Sequence, residues 1–330
     1  MLEHGGRLLR AVHQYGIARE HWLDLSSGIA PWAFPIPPIP VEAWARLPET
    51  EDGLEAAARR YYGASQVLPV AGSQAAIQAL PLLRASGRVG VLGPCYAEHP
   101  HAWQRAGHQL LELDETQVEA ALDGLDVLVL VNPNNPTGRR VPREQLLAWH
   151  ARLAARGAWL LVDEAFMDNT PADSVVDCSA RPGLIVLRSF GKFFGLAGVR
   201  LGFVAAEHSL LSRLAELLGP WTVNGPTRVL AQVSLADQAA QRAQTERCAA
   251  ASQRLAAMLQ SAGLTPTGGC DLFQYVRSPG AAHLHDFLAR RGILVRLFEQ
   301  PAAVRLGLPA SLADEQRLAQ ALAAYQKETA

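Results

Sequence analysis

The sequence has 330 residues, of which 49% are hydrophobic and 18% are charged. Its 30 Lys and Arg residues almost balance its 31 Asp and Glu residues, so its charge gives no reason to expect nucleic acid or an anionic membrane as a partner. No run approaches the roughly 18 apolar residues of a membrane helix, and the N-terminus lacks the apolar stretch of a signal peptide. We therefore expect a cytoplasmic protein of about two domains with a sizeable core.

The first distinctive segment is rich in proline. Residues 31–48 contain prolines at positions 31, 35, 37, 38, 40 and 48, and each proline removes a backbone amide donor. We therefore expect an extended arm or linker here rather than a regular element.

The middle of the chain alternates short apolar runs with helical patterns. Strands are predicted at residues 89–92, 126–131, 158–162, 184–187 and 201–205. A helix is predicted at residues 143–156, where Pro142 suits the first turn and Gly157 suits the end. This alternation is typical of an α/β fold with a mostly parallel sheet covered by helices.

The C-terminal part of the chain has a different pattern. Residues 227–262 predict one long helix, followed by short strands near 272–276 and 293–297 around a helix near 282–290. We predict an N-terminal arm at residues 1–40 that is part of a smaller domain, a large domain at residues 41–224 and a small α+β domain at residues 225–330.

Metal binding is not predicted. The four cysteines lie far apart, without the spacing of zinc ligands or of a disulfide framework. The pairs His99-x-His101 and His283-x-His285 have alternating spacing and no neighbouring cluster of carboxylates.

The residues with the clearest chemistry lie in a glycine-rich loop after the strand at 184–187. Lys192 stands in this otherwise apolar loop, where an amine can form a Schiff base. Ser189 and Arg200 flank it, and a hydroxyl with a permanent cation can hold a phosphate. A lysine alone would usually be an exposed residue on a turn, but these neighbours favour a site for a phosphorylated aldehyde.

Two upstream turns carry side chains that suit the same ligand. Asn135 lies in a rigid Asn-Pro turn after the strand at 126–131, where its amide can donate to a phenolic oxygen. Asp163 follows the strand at 158–162, and ligands bind at the carboxyl ends of parallel strands. Each feature alone is common, but their order and spacing together are specific.

These motifs resemble those of the fold-type I pyridoxal-phosphate enzymes of the aspartate-aminotransferase superfamily. The shared runs are Asn-Pro-x-Asn-Pro-Thr-Gly from residue 132, Asp-Glu-Ala-Phe from residue 163 and Ser-x-x-Lys-x-x-Gly-Leu-x-Gly-x-Arg-x-Gly from residue 189. The resemblance covers nearly the whole chain. It implies a large domain with a mostly parallel central sheet, a smaller α+β domain, a homodimer and the cofactor pyridoxal 5′-phosphate.

The resemblance also implies a role for each residue. Lys192 would be the Schiff-base lysine, Asp163 the partner of the pyridinium nitrogen and Asn135 the donor to the ring's O3′. Tyr96 matches the aromatic residue that stacks on the ring, the alternative being an ordinary core aromatic. The cofactor phosphate would be bound at a helix N-terminus and the lysine loop, by Gly72, Ser73, Gln74, Ser189 and Arg200.

Three positions depart from the pattern of this superfamily. Phe166 stands where many relatives have a tyrosine that bonds to O3′, and Gly191 precedes the lysine where Ser or Thr is usual. Leu47 stands where many relatives have a tyrosine that reaches the partner's cofactor phosphate. The share of each site that a neighbouring subunit supplies therefore stays open.

Within the superfamily, the chain resembles the decarboxylases of L-threonine O-3-phosphate that serve cobalamin biosynthesis. The shared runs are His-Gly-Gly from residue 4, the run at residues 23–31 and Pro-Trp-x-Val-Asn from residue 220. The resemblance implies a phosphorylated amino acid as substrate, with Arg305 on its α-carboxylate and further cations on its phosphate. The implied substrate-binding residues are His4, Gly28, Ile29, Asn135, Arg296 and Arg305.

Two other functions stay in view. A histidinol-phosphate-type aminotransferase would use the same Lys192 to remove the Cα proton and return it at the aldehyde carbon. A binding or regulatory domain without activity would need an inert site, whereas the four central residues Lys192, Asp163, Asn135 and Arg200 are all present.

Overall fold

The computed structural model describes residues 2–329, which form two compact units. The large unit comprises residues 34–135 and 139–242, and the small unit comprises residues 2–33, 136–138 and 243–329. No helix among the described residues is both long enough and apolar enough to cross a membrane.

The regular elements have the following bounds. The strands are β1 (Leu23–Asp24), β2 (Leu68–Val70), β3 (Arg88–Leu92), β4 (Gln109–Leu113), β5 (Val127–Val131), β6 (Trp159–Asp163), β7 (Leu184–Ser189), β8 (Gly202–Ala205), β9 (Gly268–Cys270), β10 (Phe273–Arg277), β11 (Ile293–Leu294), β12 (Arg296–Phe298) and β13 (Ala303–Gly307). The α-helices are α1 (Leu8–Tyr15), α2 (Val41–Ala45), α3 (Leu54–Tyr62), α4 (Ser73–Ala79), α5 (Glu98–Arg105), α6 (Glu115–Ala121), α7 (Arg143–Ala154), α8 (Phe190–Phe193), α9 (His208–Leu218), α10 (Gly225–Ala236), α11 (Gln238–Ser261), α12 (Ala281–Ala289) and α13 (Leu312–Thr329).

The large unit is built on one sheet of seven strands in the order β2-β8-β7-β6-β5-β3-β4. Strand β8 is antiparallel to both of its neighbours, and all other pairs are parallel. All five strands predicted in this region are present within one or two residues. The sequence patterns missed β2, which has only three residues and contains Pro69, and the partly exposed edge strand β4.

Each face of this sheet carries its own apolar core. In β5, Leu128 and Leu130 pack into one core, whereas Val127 and Val129 pack into the other. Successive residues of a strand point to opposite faces, so a strand buried on both faces is apolar throughout. Helix α7 adds Leu146 to the first of these cores.

The small unit holds two sheets. Strands β12, β13, β10 and β9 form an antiparallel sheet in that order, and β1 pairs in parallel with β11. The long helix predicted at residues 227–262 is in fact two helices, because Asp237 leaves the helical conformation. Its carboxylate accepts the Ala240 amide at 3.0 Å and so caps the start of α11.

The boundaries between the units differ from those predicted at residues 40 and 224. The backbone amide of Phe34 donates to the carbonyl of Phe194 at 2.9 Å, so the large unit begins before the predicted boundary. Helix α10 also packs within the large unit, where a Cβ on Gly225 would collide with the carbonyl of Ala43. The expectation of no regular element at residues 31–48 was wrong, since α2 begins directly after Pro40, where a proline does not interrupt helical hydrogen bonds.

Candidate active site

One cavity in the large unit brings together all nine residues that the sequence singled out for the cofactor. It measures about 650 Å³ with its open mouth. The residues are Gly72, Ser73, Gln74, Tyr96, Asn135, Asp163, Ser189, Lys192 and Arg200.

The strand order explains how distant segments meet at this cavity. Strands β2, β5, β6 and β7 run in the same direction, so the residues that follow them lie at one edge of the sheet. Arg200 precedes the antiparallel strand β8 and therefore reaches the same edge. Along this edge the phosphate-binding candidates belong to β2, β8 and β7, whereas Asp163 and Asn135 belong to β6 and β5.

The loop before α4 is built to approach Arg200 closely. Gly72 has φ +73°, and a Cβ there would lie 2.7 Å from Nη2 of Arg200. Arg200 itself is left-handed, with φ +57°, a strained conformation for a long side chain. No side chain among residues 2–329 caps the N-terminus of α4, which leaves its first amides to an anion.

Asp163 is held by an imidazole that sequence reasoning had considered only as a metal ligand. Nε2 of His99 lies 2.8 Å from Oδ2 of Asp163, and both side chains are buried. The Ala165 amide donates to the other oxygen, Oδ1, at 3.1 Å. Because a carboxylate only accepts, the Nε2–H form of His99 is the donor. No sequence signal connects these two residues, which are 64 positions apart.

Lys192 lies on the short helix α8, directly after β7. Its Nζ is 5.7 Å from the centre of the Phe166 ring, so an apolar wall stands beside the amine where many relatives have a tyrosine. A Cβ on Gly191 would lie only 2.8 Å from Cα of Ala197. This close contact explains why glycine precedes the lysine here.

Tyr96 and Asn135 complete the walls. The Tyr96 hydroxyl donates to Gln74 at 3.3 Å, and the Gln74 amide in turn donates to Glu98 at 2.8 Å. The turn that carries Asn135 is braced by Asn132, whose side chain exchanges two hydrogen bonds with the backbone of Val141. These side-chain contacts brace the turn after β5, together with the Asn132 amide, which donates to the carbonyl of Asp163 in β6 at 2.8 Å.

The donor set of the cavity suits pyridoxal 5′-phosphate. A buried carboxylate matches a protonated ring nitrogen, and Arg200, Ser189 and the uncapped amides of α4 match a phosphate. Lys192 follows β7, which lies between β8 and β6, and its amine suits the aldehyde of this cofactor. The strand order separates the acid from the anion-binding groups as such a ligand requires.

The substrate-binding candidates other than Asn135 lie in the small unit. Arg296 and Arg305 are direct partners across β12 and β13, so their side chains share one face of that sheet. Arg296 lines a cavity with His4. Arg305 is buried and donates to the carbonyl of Ser26 at 3.1 Å, two residues before Gly28.

Glu3 enters this small-unit cavity without any sequence prediction. Its carboxylate lies 2.7 Å from Arg10, 3.5 Å from Arg7 and 3.9 Å from Arg296. The hydrogen bond from Arg10 lowers the pKa of Glu3, helped by the charges of the three arginines. A carboxylate of the chain itself therefore pairs with Arg296, one of the residues predicted to bind the substrate.

An amine, a buried carboxylate and an anion-binding loop around one cavity define an enzyme site for a phosphorylated aromatic aldehyde. Residues 43–324 match the model of the aminotransferase class I and II family. The chain belongs to that family, and its fold is the fold-type I architecture predicted from the sequence.

Individual relatives agree with this assignment. The chain is 64% identical over 327 residues to a threonine-phosphate decarboxylase of Pseudomonas aeruginosa, covering 99% of each protein. It is 43% identical to a threonine-phosphate decarboxylase of Sinorhizobium sp., covering 97% of each. A solved histidinol-phosphate aminotransferase of Sinorhizobium meliloti, in complex with pyridoxal-5′-phosphate, superposes with a TM-score of 0.83 over all of this chain and 99% of that one, at 20% identity.

Proposed function

We propose that this protein decarboxylates L-threonine O-3-phosphate, with pyridoxal 5′-phosphate as cofactor, to give (R)-1-amino-2-propanol O-2-phosphate and CO₂ for the aminopropanol arm of cobalamin. The observation that carries the proposal is the 64% identity, across 99% of both chains, to a threonine-phosphate decarboxylase. It confirms the function expected from the sequence. The solved aminotransferase is only 20% identical and bears on the fold alone.

The cofactor, when bound, withdraws electrons from the substrate's Cα as a bond to that carbon breaks. Lys192 would supply the amine that carries the cofactor aldehyde, and Asp163, held by His99, would pair with the ring nitrogen. Arg200, Ser189 and the amides of α4 would hold the phosphate, Tyr96 would stack on the ring and Asn135 would donate to O3′, since all of these residues line the cavity or begin α4. Apart from Lys192, these groups would serve to orient the cofactor.

Decarboxylation requires that the bond from Cα to the carboxylate breaks, that CO₂ leaves and that a proton reaches Cα. Lys192 would deliver this proton, because its amine lies in the cavity that would hold the cofactor and the substrate's Cα. Phe166 gives this amine an apolar neighbour at 5.7 Å.

The small unit supplies the cations for the substrate. Arg305 binds the α-carboxylate as a planar, two-pronged donor, and Arg296 with His4 binds the phosphate. Gly28 and Ile29 follow the Ser26 carbonyl that holds Arg305 and give the substrate backbone contacts. A substrate with both a carboxylate and a phosphate explains why one sheet face carries two arginines.

A second copy of the chain is the proposed partner, in the cytoplasm, with no role for nucleic acid or a membrane. Large apolar side chains are exposed around one groove of the large unit, including Trp44 at 70% and Trp221 at 59% exposure. Arg200 lines both this groove and the cofactor cavity, so a partner seated there would lie next to the phosphate site. Sedimentation at micromolar concentration should show a dimer, and Trp44→Glu should shift it to monomer.

The central experiment compares two substrates. The purified, cofactor-loaded protein is incubated with L-threonine O-3-phosphate or, separately, with histidinol phosphate and 2-oxoglutarate, and the products are analysed by mass. We expect CO₂ and aminopropanol phosphate only from the first mixture, and none with Lys192→Ala. Formation of glutamate in the second mixture, without CO₂ in the first, would establish an aminotransferase instead.

A further inference from the structure

A buried ionic cluster lies behind the cofactor cavity, on the other face of the same two strand ends. Asp163 aligns with Leu187 across β6 and β7, which places Asp163 and Ser189 on one face. Glu164, which follows Asp163, and Arg188, which precedes Ser189, therefore point to the opposite face. Neither lines the cavity, and both are buried.

Arg188 links two carboxylates in this cluster. Its Nη1 donates to Glu164 at 2.8 Å, and its Nη2 lies 3.3 Å from Oδ1 of Asp168. The Tyr61 hydroxyl donates to the same oxygen of Asp168 at 3.0 Å. The guanidinium also lies 4.6 Å from the centre of the Tyr62 ring.

Further contacts hold Glu164 from the other side. Its Oε1 accepts the Val175 amide at 2.9 Å, and its Oε2 accepts the Ser174 hydroxyl. Its own amide donates to the carbonyl of Leu187 at 2.9 Å, just beyond the end of β6. The cluster therefore ties the end of β6 to β7 where the strand ladder stops.

Burying two carboxylates and one guanidinium carries a large desolvation penalty. Burial raises the pKa of Glu164 and of Asp168, and the positive charge of Arg188 opposes both shifts. Well-packed apolar residues in place of a buried ion pair are often equally stable, so stability alone does not account for this arrangement. The forked contacts of Arg188 with the two carboxylates do, however, hold the end of β6 in a fixed alignment with the end of β7.

We propose that Glu164, Arg188 and Asp168 are positioning residues that fix Asp163 and Ser189 in the alignment that the cofactor needs. Asp163 directly precedes Glu164 along the chain, and Ser189 directly follows Arg188. The proposed roles place Asp163 and Ser189 at the ring nitrogen and the phosphate of one rigid ligand. A relative shift of the strand ends by about 1 Å would spoil both contacts at once. This inference rests on the proposed cofactor but not on the proposed reaction.

The test compares cofactor affinity with stability in matched variants. Arg188→Lys keeps the charge but loses the fork to the two carboxylates, and Tyr61→Phe removes one hydrogen bond from the edge of the cluster. Leu153→Ala is the control, because Leu153 is a fully buried residue of α7 away from the cavity. For each apo protein, the melting temperature and the Kd of pyridoxal 5′-phosphate, from absorbance titration, are measured.

We expect Arg188→Lys to raise the Kd of the cofactor at least tenfold and Tyr61→Phe to raise it two- to fivefold. Leu153→Ala should lower the melting temperature but keep the Kd within twofold of the unsubstituted protein. An equal rise of Kd in Leu153→Ala, or an unchanged Kd in both cluster variants, would overturn the proposal. If Arg188→Lys does not fold, the comparison of the cofactor Kd between Tyr61→Phe and Leu153→Ala decides whether the proposal holds. Failure of the unsubstituted protein to bind the cofactor at all would instead reject the proposed function.

Discussion

The glycine before Lys192 offers the sharpest test of the site geometry. A Cβ at residue 191 would lie 2.8 Å from Cα of Ala197, which is backbone and has no flexible end to move aside. Gly191→Ser therefore forces apart α8 and the short helical turn Ala197–Val199, which precedes Arg200. Overpacking of this kind costs about 1–3 kcal/mol. For a domain of about 200 residues, each kcal/mol lowers the melting temperature by about 2–4 °C, giving a fall of roughly 2–12 °C.

The same loop offers a matched control. A Cβ on Gly198 meets nothing within 4 Å, and Gly198 does not have a left-handed φ. Both serine variants are compared by thermal unfolding of the apo protein and by titration with pyridoxal 5′-phosphate. We expect Gly191→Ser to melt earlier and to bind the cofactor about tenfold more weakly, because the Lys192 amine and Arg200 move apart, while Gly198→Ser resembles the unsubstituted protein. Equal melting temperatures and affinities for the two variants would refute the reasoning.

Four further outcomes follow from the structure. His99→Leu removes the side-chain donor from Asp163 and should weaken cofactor binding about 10- to 150-fold by titration, since a hydrogen bond to a charged group contributes about 1.5–3 kcal/mol. His99→Asn keeps a donor and should lose less, and equal losses would contradict this role. Burial raises the pKa of the Cys95 thiol to about 12, so at pH 8 only about one molecule in 10⁴ carries the reactive thiolate. Iodoacetamide should therefore label Cys95 only after unfolding, and rapid labelling of the native protein, measured by peptide mass, would contradict this prediction. Burial lowers the pKa of His285 below 6.5, so its contribution to stability is present above pH 6.5 and is lost as the pH falls through the folded-state pKa. The free energy of unfolding in urea should therefore fall more steeply between pH 7.5 and 5 than in His285→Gln, and parallel pH curves for the two proteins would show that the group is not linked to folding. Glu3→Gln removes an exposed carboxylate whose ion pairs with the surrounding arginines contribute about 0.2–1 kcal/mol. Inorganic phosphate should then inhibit the activity about 1.5- to 5-fold more strongly, and weaker inhibition would mean that Glu3 does not compete for these arginines.

Much of the architecture could be read from local patterns. Five strands of the large sheet and helix α7 appear within about two residues of their predicted bounds, because each is specified by its own apolar run and its own turn residues. The break at Asp237 was missed because a lone aspartate in a helical pattern gains its meaning only when its carboxylate caps the next helix.

The candidate site likewise has some features that the sequence predicted and others that only the structure shows. The motif residues from β2, β5, β6, β7 and β8 were recognised one by one, and the strand order brings them to one cavity. The sequence offered no sign that His99 holds Asp163, that Arg188 joins Glu164 to Asp168, or that Ala197 leaves no room for a side chain at residue 191.

The reason for this division is physical. Motifs and hydrophobic periods are properties of neighbouring residues, so one sequence suffices to determine the family, the alternation of strands and helices and the residues that carry the chemistry. Contacts such as the one between His99 and Asp163 join residues far apart in the chain, and only the packing of strands and helices against one another decides which of many possible partners meet. The same holds for the boundaries of the two units, which depend on where Phe34 and α10 pack rather than on where prolines and glycines interrupt the chain.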